Sequence, residues 1–309
     1  MTSTGGFRVA EQLALTTTLL MFALIVIGSV VRTTGSGLAC PDWPLCEGRL
    51  IPRLEPHVMI EWFHRLIALL VSVMVLGTAG WIGRMPEVRE RLGGLALLAV
   101  GLIVTQVLLG ALTVWKLLSP AVVNSHLAVA LLLFATLLTI TLVARGAAED
   151  RPVSRSDAAL VPFSGLATGI AYLQCLLGGL VSSTGSGLAC PDWPTCDGRW
   201  FPPLAGAVGI QMMHRYGAYL LTAVVVVAAA RARAAADPGV RAGAGMAAAL
   251  TLLQVVLGVA SVLLGTPPWA SALHLANAVA LLAMLLAVTL RAAALPEGAS
   301  RPAPDPAFP

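Results

Sequence analysis

Charged residues are scarce in this 309-residue chain, because Asp, Glu, Lys and Arg together make up only 11% of it. An ordinary soluble domain contains about 25% charged residues. Hydrophobic residues make up 58% of this chain, and its mean hydropathy is +0.87. This composition excludes a soluble globular domain and indicates that a lipid bilayer is the solvent. The formal net charge is only +4, which is usual for a membrane protein with a basic surface, so no nucleic-acid partner is predicted.

Long apolar runs dominate the sequence instead. A transmembrane helix needs about 20 mostly apolar residues, and the chain contains eight runs of that kind. They cover approximately residues 12–31, 60–82, 92–115, 121–144, 159–182, 209–230, 242–264 and 269–291. The sequence therefore predicts an all-α integral membrane protein with eight transmembrane helices.

The 19 Lys and Arg residues are divided unequally between the two ends of these runs. Seven of them lie on the side that follows the first, third, fifth and seventh runs, namely Arg32, Arg49, Arg53, Arg65, Lys116, Arg199 and Arg215. The other twelve lie on the side that carries both termini. Because Lys and Arg collect on the cytoplasmic side, we expect a multi-pass protein of the cell (plasma) membrane with both termini in the cytoplasm.

Two segments of the chain are nearly identical. The sequence of residues 34–46, TGSGLACPDWPLC, recurs with one change at residues 184–196, an offset of 150 residues. Each half then contains four helices, and an even number predicts two parallel four-helix-bundle repeats related by a pseudo-twofold axis along the membrane normal. The expected divisions are an N-terminal repeat over 1–145, a cytoplasmic linker over 146–158, a C-terminal repeat over 159–292 and a disordered tail over 293–309.

Four of the five histidines lie near the starts of the even-numbered helices, where His64 matches His214 and His126 matches His274. We expect His126 and His274 about 9 Å into their helices, and the other two slightly shallower. Ionisable side chains inside a membrane usually face a functional interior, although any single histidine is equally explained as a hydrogen-bonded core residue. Two facing pairs of neutral imidazoles suit six-coordinate heme iron, whereas zinc would need further protein ligands.

Arg65 and Arg215 directly follow the first histidine of each half. Arginine binds carboxylates through paired hydrogen bonds, so both side chains are candidates for binding heme propionates. The alternative is that each one only extends its charged end towards the membrane surface.

Cysteine is rare as well, and four of the five cysteines lie in the repeated segments. Thiols tend to pair on the oxidising side of a membrane, so we expect the disulfides Cys40–Cys46 and Cys190–Cys196. Such a ring would stiffen a lid over the histidines, or it would exchange with a thioredoxin-like thiol carrier. The fifth cysteine, Cys175, is expected to be a small core residue.

The two halves differ beside the first histidine, where Glu61-Trp-Phe-His64 of one half corresponds to Gln211-Met-Met-His214 of the other. Residues three apart share a helix face, so a carboxylate lies beside the first histidine site and a neutral amide beside the second. A buried carboxylate can act as a base, a proton relay or a charge stabiliser, or it can support a neighbouring ligand. We interpret the N-terminal half as the reaction site and the C-terminal half as a fixed electron-transfer heme.

Taken together, the eight helices, Glu61 to Arg65, the four histidines and the loop over 35–46 resemble the heme A synthase family along essentially the whole chain. The resemblance implies oxidation of the C8 methyl group of heme O to a formyl group, by successive hydroxylations and loss of water. It also implies that His64 and His126 hold the substrate heme O, that His214 and His274 hold heme b, and that Glu61 is needed for the chemistry. Heme O synthase and an unidentified electron donor are the expected partners besides the lipid bilayer.

Two other classes of protein are compatible with parts of the sequence. A diheme b-type cytochrome would transfer electrons without using Glu61 and would make no new heme. A membrane disulfide-exchange oxidoreductase would act through the cysteine loops and would not need the histidines.

Overall fold

The computed structural model describes residues 3–149 and 158–293. Within these ranges the protein is helical without any β-strand, and eight helices are long and apolar enough to cross a membrane. They are α1 Ser3–Thr33, α2 Pro56–Arg84, α3 Pro86–Trp115, α4 Pro120–Ala148, α5 Val161–Ser183, α6 Gly206–Ala232, α7 Pro238–Leu263 and α8 Pro268–Ala293. The eight predicted membrane helices are therefore confirmed. Most of the expected linker, residues 150–157, and the tail from residue 294 onward lie outside the described residues.

Proline begins most of these helices. It occupies the first position of α2, α3, α4, α7 and α8, where its missing N–H costs nothing because that donor would have no partner within the helix. The helices therefore start before the apolar residues do: α2 begins at Pro56, four residues ahead of the predicted apolar run. The added turns lie at the ends of the membrane spans.

The helices of each half pack in the same order. In the first half, α1 contacts α2 and α4, and α3 contacts α2 and α4. In the second half, α5 contacts α6 and α8, and α7 contacts α6 and α8. The halves meet through α1, α4, α5 and α8. This matching order agrees with the sequence repeat, while the pseudo-twofold axis stays a prediction.

One buried core cluster contains residues of both halves. Its fully buried members include Leu131, Leu137 and Ile140 of α4, and the rings of Phe22 and Phe134 lie 6.4 Å apart. Polar groups add to this contact, because the Tyr172 hydroxyl donates to the Ala128 carbonyl at 3.3 Å. The two halves are therefore joined by buried apolar side chains and by this hydrogen bond.

Two ion pairs hold helices together on the side opposite the cysteine loops. Arg145 of α4 pairs with Glu11 of α1 at 2.6 Å. Asp237 accepts the Gly239 amide as the N-cap of α7 and pairs with Arg291 of α8 at 2.5 Å. The hydrogen bond from Arg291 lowers the pKa of Asp237, which keeps the cap charged.

Candidate functional site

The four paired histidines all lie in the halves of their helices nearest the cysteine loops. His64 follows the start of α2 by eight residues and His126 follows the start of α4 by six. Their counterparts His214 and His274 repeat these spacings in α6 and α8. At 1.5 Å per residue, the first histidine of each half is about 12 Å into its helix and the second is about 9 Å in. The expected order of depth, counted from the helix starts, is therefore wrong, because α2 and α6 begin before their apolar runs.

The second pair has the spacing that one metal ion requires. The ring centroids of His214 and His274 are 6.3 Å apart, and their planes are inclined by 75°. A metal–imidazole bond is about 2 Å long, so two imidazoles on opposite sides of one metal have centroids about 6 Å apart. The part of the chain that the structure describes holds no group of three or more His, Cys, Asp or Glu suited to a metal ion. Two axial imidazoles thus fit the iron of a heme.

The histidines of the first pair have ring nitrogens without partners in the described part of the chain. His64 and His126 are both partly buried. The Nδ1 atom of each ring is buried and has no hydrogen-bond partner among the described residues. Buried polar atoms are seldom left without a partner, which indicates that this pair is arranged for a ligand.

Glutamine amides fix both histidines of the second half. Gln174 of α5 lies 3.0 Å from His214 Nδ1 and donates to the His214 carbonyl at 2.7 Å. Gln254 of α7 lies 3.2 Å from both ring nitrogens of His274. Asn277 of α8 donates to Gln254 Oε1 at 2.7 Å. Partners of this kind set the orientation of a metal ligand.

Only one histidine of the first half has such support. Gln106 of α3 lies 3.2 Å from His126 Nε2. The residue that corresponds to Gln174 is Leu24, so His64 has no amide contact, and no described residue hydrogen-bonds to its ring. Sequence reasoning missed these glutamines as functional residues, although polar side chains within apolar helices were a signal for them.

Glu61 links the first histidine helix to its cysteine loop. The side chain is buried. Its Oε1 atom accepts from Arg65 Nη2 at 2.6 Å, and its Oε2 atom accepts from the Cys40 amide at 2.8 Å. The corresponding Gln211 donates to the Gly187 carbonyl at 3.3 Å. Its Oε1 atom has no partner among the described residues. The carboxylate therefore makes stronger contacts to its loop than the amide does.

Both arginines hold the cysteine loops onto the helices. Arg65 donates at 2.5–2.8 Å to three loop carbonyls, those of Cys40, Asp42 and Leu45. Arg215 donates at 2.6 Å to two loop carbonyls, those of Cys190 and Thr195. These contacts occupy donors that heme propionates would also use. The role in propionate binding stays a prediction.

Disulfides close both loops, as the sequence predicts. Cys40 is bonded to Cys46 and Cys190 to Cys196, and all four residues are at most 1% exposed. Thiol exchange requires access to a sulfur atom, so this burial favours the structural interpretation over exchange with a carrier. Cys175 is buried and unpaired, which confirms its expected place in the core.

An aspartate organises the turn within each disulfide ring. Asp42 accepts the amides of Glu47 and Gly48, and the Gly48 contact lowers its pKa. Asp192 accepts the Thr195 hydroxyl, and that hydrogen bond lowers the pKa of Asp192 to about 2. Both carboxylates stay charged at neutral pH, so the rings keep these contacts there.

Comparison with known proteins shows which family the chain belongs to. The profile of the COX15-CtaA family, described as cytochrome oxidase assembly protein, matches residues 11–286. A heme A synthase of Symbiobacterium thermophilum is 32% identical, with 81% of this chain and 85% of that protein aligned. A heme A synthase of Shouchella clausii is 34% identical over 70% of this chain and 74% of its own length. One from Methylobacterium sp. is 29% identical over 87% and 88%.

Proposed function

The chain belongs to the family of cytochrome oxidase assembly proteins, and from that premise we propose that it is a heme A synthase. Its substrate is heme O, whose C8 methyl group becomes the formyl group of heme A. Each of two successive hydroxylations replaces a C–H bond by a C–OH bond and removes two electrons from the carbon, so an oxygen source and a redox partner outside the chain take part. The resulting hydrate loses water. The observation that carries the proposal is the presence of two matched histidine pairs of which only one adjoins a buried carboxylate, Glu61.

The second half holds the resident heme b in this proposal. His214 and His274, whose ring centroids are 6.3 Å apart, would hold it, and Gln174 and Gln254 contact both rings. Heme b, when bound, supplies a one-electron redox centre. Ligands with fixed orientations suit a heme that stays bound.

The first half holds the substrate, through His64 and His126. A substrate heme must enter and leave, so at least one of its ligands must release it in every cycle. His64 is suited to that task because no described residue hydrogen-bonds to its ring. His126, held by Gln106, remains the oriented ligand of the pair.

Glu61 is the residue that we assign to the chemistry. It is one helical turn from His64, and its carboxylate is buried beside the loop that covers the site. A carboxylate there can hold a proton or stabilise positive charge during oxidation of the methyl carbon. Arg65, which contacts Glu61 at 2.6 Å, holds that carboxylate in place.

The distribution of charged residues bears on the location and orientation of the protein. The unequal distribution of Lys and Arg supports a cell-membrane location with both termini in the cytoplasm. The cysteine loops and the histidines then lie towards the outer face. We retain heme O synthase as the supplier of substrate and an electron donor of unidentified nature. A thioredoxin-like carrier is disfavoured as a partner, because both disulfides are buried.

A diheme b-type cytochrome is the second candidate, and one observation favours it. Both oxygens of Glu61 are used in contacts to Arg65 and to the Cys40 amide, as a purely structural carboxylate would be. Under that alternative the protein carries two hemes and makes no heme A.

Heme analysis after co-expression distinguishes these functions. The protein is produced together with a source of heme O in a bacterium that makes no heme A, and the extracted hemes are identified by chromatography and mass spectrometry. Heme A is expected with the parental protein and none with a His64→Leu variant. Bound heme without any heme A would support the cytochrome, and heme A formation that survives loss of the histidines would contradict both heme proposals.

A further inference from the structure

Every paired histidine packs against a glycine of the preceding helix. His64 meets Gly28 of α1, and His126 meets Gly110 of α3. In the second half, His214 meets Gly178 of α5, and His274 meets Gly258 of α7. A methyl group placed on these glycines would be 3.3, 3.3, 3.1 and 2.9 Å from the Cε1 atom of the ring, in that order. The imidazole therefore lies directly on the backbone of the neighbouring helix.

These glycines have a fixed relation to the glutamines that contact the same rings. Gln106 precedes Gly110 by four residues, and Gln254 precedes Gly258 by four. Gln174 and Gly178 share this spacing. Residues four apart lie on one helix face. Each of these three rings therefore contacts a glutamine amide on one helical turn and the glycine backbone on the next turn.

Helix formation does not explain the four glycines. Glycine inside a helix is less favourable than alanine. Some other glycines of the same helices, Gly101, Gly169 and Gly245, have open space where a methyl group would be placed. Gly179 and Gly243 meet side chains there, but none of these is a histidine. The close approach of an imidazole is therefore specific to the four positions beside the histidines.

We propose that Gly28, Gly110, Gly178 and Gly258 are positioning residues that set how far each imidazole extends towards the heme. The inference rests on the proposed heme binding. An added methyl group would push the ring away from the helix backbone. At Gly110, Gly178 and Gly258 the glutamine contact would still hold the ring's other edge. The effect should be largest at Gly258, where the distance of 2.9 Å requires a shift, and smaller at Gly178.

The test compares Gly258→Ala with Gly245→Ala on the same helix, and Gly178→Ala with Gly169→Ala. Optical and electron paramagnetic resonance spectra report the spin state of the bound heme, and redox titration reports its midpoint potential. We expect Gly258→Ala to lose part of the low-spin signal and to retain heme about tenfold less well. Gly178→Ala should have the same but weaker effect, and both controls should match the parental protein.

Repeating the Gly258→Ala change in a protein that lacks His274 distinguishes an effect of contact with the ring from an effect on helix packing. In a His274→Ala protein there is no ring beside position 258, so adding Gly258→Ala should not lower the thermal unfolding temperature further. An equal loss of stability in both backgrounds would overturn the inference. So would parental spectra and potential in Gly258→Ala, provided that His274→Ala loses the heme signal. If the parental protein binds no heme, the proposed function itself has failed, which is a separately recognisable result.

Discussion

The two histidine sites share a scaffold and differ in how they are held and charged. Both use the same two helices of a half, and both lie beneath a disulfide loop that an arginine fixes in place. In the second site, glutamines orient both rings and the residue beside the loop is the neutral Gln211. In the first site, Leu24 replaces one glutamine and Glu61 replaces Gln211. Features common to both sites therefore serve heme binding, and reactivity must come from the few positions that differ.

The arginines illustrate this distinction. Arg65 and Arg215 follow matching histidines and hold matching loop carbonyls, so neither explains why one site should react. Only Arg65 also pairs with a carboxylate, at 2.6 Å. Position 61 is thus the point at which the two sites differ most in charge.

The largest effect is expected from variants that remove the heme b site of the second half. Replacing His214 or His274 by Leu takes away one of two axial ligands, so the low-spin bis-histidine b-type spectrum of the purified protein should disappear. His57 provides the control, because it is exposed and contacts Ser36 at 2.9 Å, and His57→Leu should keep that spectrum. Persistence of the spectrum in both single variants would rule out the second half as the heme b site.

The next prediction makes the first site resemble the second. Glu61→Gln keeps a similar size and can still accept the Cys40 amide, so heme binding should largely survive. Loss of a base or charge stabiliser worth a few kcal/mol should slow the reaction at least about a hundredfold. Heme A yield from a heme O-producing host, measured against bound heme, checks this, and Gln211→Glu should leave the yield mostly unchanged.

A structural role for Glu61 would give a different result. The ion pair with Arg65 and the contact to Cys40 hold the loop, so a purely structural carboxylate would lower the unfolding temperature of Glu61→Gln and leave its turnover per bound heme intact. Near-parental heme A yield would show that the carboxylate is not needed for chemistry.

Sequence reasoning predicted the parts of this site that depend on composition and repetition. Eight helices follow from apolar length, and the disulfides Cys40–Cys46 and Cys190–Cys196 follow from short spacing within a repeated loop. The contacts of Arg65 with loop carbonyls could not be predicted, because they depend on how an irregular loop folds back over a helix. The glutamine contacts depend on helix rotation, which the nearly uniform apolar faces of these helices do not fix.

A third pair of variants exchanges the ligand support between the sites. Gln174→Leu removes the amide beside His214 and should weaken retention of heme b about tenfold. Leu24→Gln supplies an amide facing His64 and should slow release of the substrate heme by a similar factor. Transfer of bound heme to apomyoglobin, followed optically, measures both rates.

Leu19→Gln is the control for the cost of a glutamine in α1, because Leu19 is 61% exposed. It should not alter heme release. If Leu24→Gln and Leu19→Gln behave alike, the freedom of the His64 ring does not govern substrate exchange.

The smallest expected effect concerns the loops, which differ in their anchors although their disulfides match. A disulfide closing so short a ring contributes about 2 kcal/mol through the unfolded chain. The first loop is also held by Glu61 and by three carbonyl contacts of Arg65. The second has two carbonyl contacts of Arg215 and two longer contacts of 3.3 Å, from Gln211 to the Gly187 carbonyl and from the Tyr219 hydroxyl to the Pro194 carbonyl, but no charged contact like that of Glu61. Replacing Cys190 and Cys196 by Ser should therefore increase amide hydrogen exchange in residues 184–200 more than replacing Cys40 and Cys46 increases it in residues 34–50.

The bis-histidine spectrum should persist in both variants, because Gln174 and Gln254 hold the heme b ligands without using the loops. Equal exchange in the two loops would mean that the contacts of Glu61 add nothing to loop stability, and its burial would then have to be explained by the reaction alone.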